Sequence, residues 1–214
     1  GYNRLHEKFA DFKGTSSPGT ASDPFNSVAQ TLEAHEVSFD VLEHSANQFR
    51  EELYKLGNVS LTSISRNGLG GIVNLFPLVS QFADTELSLR VRIIPSNVMG
   101  SALRRYDPHR REILLNKKLK QNSLQFHLIV QTVLIYRRNL LDEMVKTLRD
   151  KALVDQSMLS TAFAGYFTGV VMFPEPPFIM SKSVRRESAS MKNSRNSLYL
   201  SAAFAALGNE FVTG

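Results

Sequence analysis

Cysteine is absent from the chain. This excludes a disulfide framework, a cysteine nucleophile, thiolate metal sites and a cysteine-ligated iron–sulfur cluster. A reducing compartment accommodates such a chain, and a cytoplasmic location is the expectation. Also missing is any apolar run of the roughly 18 residues that a membrane span needs. The longest greasy stretch, Phe163 to Phe173, is broken by Gly165, Tyr166, Thr168 and Gly169. The opening Gly1-Tyr2-Asn3-Arg4 is polar and unlike a secretory signal. It lacks an initiator Met, so the expectation is a fragment or processed chain.

Several chemical motifs are missing as well. The histidines are His6, His35, His44, His109 and His127, and no two make a His-x-His or His-x-x-x-His pair. A zinc site in one chain usually starts from two close ligands, so none is expected. There is no Gly-x-Ser-x-Gly elbow and no Walker loop. Gly68-Leu69-Gly70-Gly71 follows no predicted strand, and Val73 stands where a dinucleotide fingerprint needs its third glycine. A flexible turn accounts for it.

What is present is an ordinary globular composition: 214 residues, 43% of them apolar and 21% charged. That length can bury one sizeable core or two small ones. The formal net charge of +5 fits general solubility, and it also suits anionic partners such as phosphates or nucleic acid.

Leu5, Phe9 and Phe12 have helical spacing, and residues 13–22 read as a flexible linker. Asp23-Pro24 is an N-cap followed by proline at the first helical position. Helices are predicted at 24–34 and 39–56, the second capped by Ser38 and stopped at Gly57-Asn58. Residues 58–71 form a loop, and a helix follows over 72–83 despite Pro77. The alternating run Leu87 to Ile94 and the segment Arg111 to Leu115 read as strands. Turns at 97–100 and at Asp107-Pro108 between them suggest an antiparallel pair. Asn122-Ser123 is a capping signal, and helices follow at 124–136, 139–150, 156–172 and 178–190, with a weaker one at 198–206. Pro174, Pro176 and Pro177 interrupt that series. The predicted class is α+β, mainly helical, with a small antiparallel sheet packed on a helical bundle. Residues 1–22 form a connecting segment and 23–214 the domain.

The most informative cluster is Arg104, Arg105, Arg110 and Arg111, flanking Tyr106-Asp107-Pro108-His109. Crowded guanidinium groups repel one another unless anions lie among them, and their planar forks suit phosphate. Local pairing with Asp107 and Glu112 on a solvated edge explains them equally well. Arg185-Arg186-Glu187-Ser188 is an exposed helix face or, less simply, a basophilic kinase site. Tyr166, Phe167, Met172, Phe173 and Phe178 are core by default, and some of them could line an apolar pocket.

Residues 91–119, above all the run Leu-Arg-Arg-Tyr-Asp-Pro-His-Arg-Arg at 103–111, resemble the central segment of short-chain fatty acyl transcriptional regulators. These include propionate- and acetate-responsive regulators. Ala164 to Pro174 resembles the family's aromatic helix ending in Met-Pro, with Phe173 intervening here. Asp23 to Val28 is similar to its entry segment. The resemblance covers residues 20–180 and is looser over 195–213. It implies a sensor domain related to ImmA/IrrE-type zinc peptidases, with a short-chain acyl-CoA as regulatory ligand and no other cofactor. It also implies DNA binding through a helix-turn-helix that is not in this chain. A homodimer is expected from regulators that read paired half-sites.

In the peptidase relatives the corresponding helix carries His-Glu-x-x-His. Here the aligned residues are Val130-Gln131-Thr132-Val133-Leu134, which supply neither zinc ligands nor a general base. The resemblance therefore implies a fold without the peptidase chemistry. The ligand residues it suggests are Arg104, Arg105, Tyr106, Arg110 and Arg111 for phosphates, with Tyr166 and Phe167 as pocket walls. The alternatives are a divergent metallohydrolase, a non-catalytic protein-interaction domain, and direct nucleic-acid contact by the arginine turn.

Overall fold

The computed structural model describes residues 27–28, 30–32, 37–59, 74–148, 154–173, 196, 199–200, 203 and 207. Its architecture is α+β and mainly helical. The expected boundary at residue 22, the helix at 178–190 and most of the 58–71 loop lie outside the described residues.

Helix α1 (Asp40–Leu56) buries Leu42, Ala46, Phe49 and Leu53, which recur at the spacing of one helical face. Asp40 and Glu43 in its first turn and Lys55 in its last complement the helix dipole. Gly57 ends it, as predicted, and Asn58 takes a left-handed φ of 50°. Helix α2 (Phe76–Leu87) starts four residues later than predicted. Pro77 therefore falls in the first turn, where its missing N–H costs no intrahelical bond.

Next come strand β1 (Arg90–Ile94), a short helix α3 (Ser96–Met99), strand β2 (Arg104–Asp107) and strand β3 (Glu112–Asn116). The sheet order is β1-β3-β2. The expected antiparallel pair is corrected here. β1 and β3 are neighbours but run parallel, because the chain crosses over between them. The antiparallel partner of β3 is β2, a strand lying within the arginine run that reads as a turn in sequence. Asn116 fastens the crossover. Its Oδ1 accepts from Ser96 Oγ at 2.8 Å, and its Nδ2 donates to Ala102 O at 2.9 Å.

Helix α4 (Gln121–Tyr136) lies centrally, in contact with α2, β2, β3 and the last long helix. It buries residues on nearly every side, from Gln125 to Val130 and again at Thr132 and Val133. Helix α5 (Arg138–Lys146) is amphipathic and buries Leu141 and Val145. Helix α6 (Gln156–Met172), capped by Asp155, buries every residue from Ala162 to Met172. A helix apolar all round belongs inside a core. Phe49, Phe126, Phe163 and Phe167 are all sealed within one continuous cluster, each contributing about 1.5–3 kcal/mol of hydrophobic stabilisation.

Candidate functional site

Successive strand residues face opposite sides of a sheet, and this divides the arginine run. Arg104 lies opposite Leu115, and Tyr106 lies opposite Ile113. Both leucine and isoleucine are fully buried on the side covered by α4. Arg104 is half-buried there, and Tyr106 sits at the sheet margin with 38% of its surface exposed. Arg105 lies opposite Leu114, which is also level with Arg92 of β1. Arg105 therefore stands on the outer face, away from α4. The two adjacent arginines do not converge on one point.

Arg110 and Arg111 differ as well. Asp107 Oδ1 accepts from the backbone N–H groups of His109 and Arg110, both at 3.0 Å, which shapes the β2–β3 turn. The Arg110 side chain is exposed and approaches Asp107 only at 3.9 Å. Arg111 has a left-handed φ of 53°. Its guanidinium donates to Leu87 O at 2.6 Å and to Ser88 O at 3.1 Å. These carbonyls close the C-terminus of α2, where a cation also offsets the helix dipole. Arg111 is thus committed to holding the hairpin against α2.

Outer-face partners absent from the predicted set are Arg90, Arg92 and Glu112. Glu112 is buried and pairs with both arginines, at 3.2 Å each. Alternation around the predicted strands was the signal that could have placed them together.

Tyr166 and Phe167 lie on α6 and are both fully buried. The Tyr166 ring stacks on Phe39 at 4.3 Å, and its hydroxyl donates to Glu43 Oε1 at 2.7 Å. That hydroxyl also lies 2.8 Å from Asn196 Oδ1. Phe167 packs against Phe49. Both side chains are packed against neighbouring aromatic rings inside the core. Arg50 reaches the end of the same helix and donates to Val170 O at 3.2 Å. Burial lowers its guanidinium pKa from the ordinary value, opposed by Tyr54, Tyr199 and Glu51. Burial also raises the phenol pKa of Tyr54 and of Tyr136.

A groove of about 370 Å³ lies between α5 and α6, lined by Asp142, Val145, Lys146, Gln156, Ser157 and Ser160. None of the predicted ligand residues lines it. The stretch aligned with the peptidase motif lies on α4, with Val130 and Val133 fully buried. Among the described residues, no three His, Asp or Glu side chains are grouped to hold a metal ion. No helix among them is long and apolar enough to cross a membrane.

No family model matches the sequence, and no curated protein matches it. The fold is similar to that of a solved Mycobacterium tuberculosis transcriptional regulator, with a TM-score of 0.59 at 17% identity. The likeness covers 86% of this chain and 52% of the regulator, so the chain spans about half of that protein's length.

Proposed function

We propose that this chain is the ligand-binding domain of a transcription regulator and that its ligand is a short-chain acyl-CoA. The observation that carries the first part is the fold shared with a transcriptional regulator over 86% of the chain. The second part rests on the resemblance of residues 91–119 and on the basic hairpin. Arg104 and Tyr106 share the side of β2 that faces α4, and they are the residues assigned to the ligand's phosphates. The acyl group then points toward α4 and α6. Tyr166 and Phe167 are closed into the core, so admitting the tail requires these helices to part. A ligand that binds the parted arrangement better shifts the population toward it. In the whole regulator, that shift would reset the spacing of DNA-reading modules in a cytoplasmic homodimer.

Calorimetric titration with acetyl-, propionyl- and butyryl-CoA, against free CoA, tests this. Micromolar binding that depends on the acyl group is expected. Arg104→Gln should weaken it about tenfold or more, the usual cost of removing a charged hydrogen-bond donor. Absence of binding by every thioester would overturn the ligand assignment.

A further inference from the structure

We propose that the outer face of the sheet, with the lysines that follow it, lies against the phosphate backbone of duplex DNA. This rests on the reading of the chain as part of a transcription regulator.

The charge distribution comes first. Residues 90–120 hold nine Lys and Arg against two Asp and Glu, a net +7, whereas the whole chain is +5. The remainder is therefore net acidic. Within the segment, Arg90 and Arg92 share Glu112, Arg110 approaches Asp107, and Arg111 holds α2. Arg105, Lys117, Lys118 and Lys120 are exposed and make no ion pair among the described residues.

The second observation is where these lysines stand. Lys120 is the N-cap of α4, and the first turn of that helix contains no acid. A helix start is the positive end of its dipole and favours carboxylates. Lys120 stands at that end, with Lys117 and Lys118 just before it in the chain, so the helix start has a cation where its dipole favours an anion.

The third is their spread. Arg105 lies opposite Leu114, and Lys117 follows β3 three residues further on, so these two cations stand about 11 Å apart by strand spacing and rise, with Lys118 and Lys120 beyond. One small anion cannot reach all of them, whereas a row of phosphates can. Ile93 and Tyr106, two of the exposed large apolar side chains, belong to the other face. Val98 is exposed on the short crossover helix. A single valine is too little apolar surface for a membrane-binding face.

The test uses the full chain and a fluorescently labelled DNA duplex of arbitrary sequence, followed by anisotropy. Affinity should fall between about 50 and 200 mM salt, with a log–log slope on the order of −3 to −4 for four phosphate contacts. Replacing Arg105, Lys117, Lys118 and Lys120 together by Gln should flatten the slope by about 0.9 for each cation removed. Arg138→Gln, an exposed cation on α5, should leave it unchanged. Protection of Lys117, Lys118 and Lys120 from acetylation by added duplex is expected in the unmodified chain, which covers the case of a misfolded variant. The proposal is overturned if the chain shows no salt-dependent DNA binding, or if the fourfold variant folds and binds as before. It is equally overturned if anionic phosphatidylserine vesicles are bound and duplex is not. Loss of DNA binding with acyl-CoA binding intact removes this proposal alone. The reverse result removes the acyl-CoA assignment alone.

Discussion

The helical core and the three-stranded sheet are built on opposite terms. Helices α1, α4 and α6 are joined through sealed aromatic and aliphatic side chains, and the buried threonine hydroxyls of α4 and α6 are satisfied within their own helices. Thr132 and Thr168 each donate to the carbonyl four residues back, at 2.8 Å. The sheet buries mainly the central strand β3, while β1 and β2 are edges whose residues are largely exposed. Helices α1 and α2 are each net acidic, and the sheet segment carries the positive charge. Apolar burial is thus concentrated in the helices, and positive charge in the sheet segment.

The contrast can be broken most severely from the helical side. Phe163→Ala should cost about 3–5 kcal/mol, since the ring is fully buried and a cavity would remain. A fall in thermal midpoint on the order of 10 °C is expected for a domain of this size. Calorimetry of the purified variant measures it, and a fall of only one or two degrees would place the core elsewhere.

Asn116→Ala sharpens the comparison, because Asn116 is the buried polar residue that ties the crossover to the sheet. Losing its bonds leaves crossover groups unsatisfied, at about 1–3 kcal/mol. Urea denaturation should show the loss, and amide exchange should rise first around residues 96–103. Arg105→Ala should change stability by no more than about 0.5 kcal/mol, as expected for an exposed side chain away from any special contact. A larger loss in the same urea experiment would mean that Arg105 supports the fold itself.

The helices were legible because their signals are local. The face of α1 repeats through Leu42, Ala46, Phe49 and Leu53, and Gly57 marks its end. The burial of Tyr166 and Phe167 was also readable, since the run from Ala162 to Met172 offers no polar face to solvent. The parallel pairing of β1 with β3 was not legible, because it joins segments about twenty residues apart and no local period records direction. β2 was hidden by composition: Arg104-Arg105-Tyr106-Asp107 has no apolar alternation to announce a strand. That omission grouped Arg104 with Arg105, which the pleat then separates. The commitment of Arg111 to α2 was equally invisible, since it depends on where Leu87 and Ser88 end up in space.

The Arg111 contacts carry a mechanical consequence. One side chain grips the last carbonyls of α2, and its own backbone forms the entry to β3 at a left-handed φ. The hairpin and the helix end are thereby yoked as two arms of one lever. A pull on the tip of the hairpin is delivered at the far end of α2, and neither arm can swing alone until the guanidinium lets go.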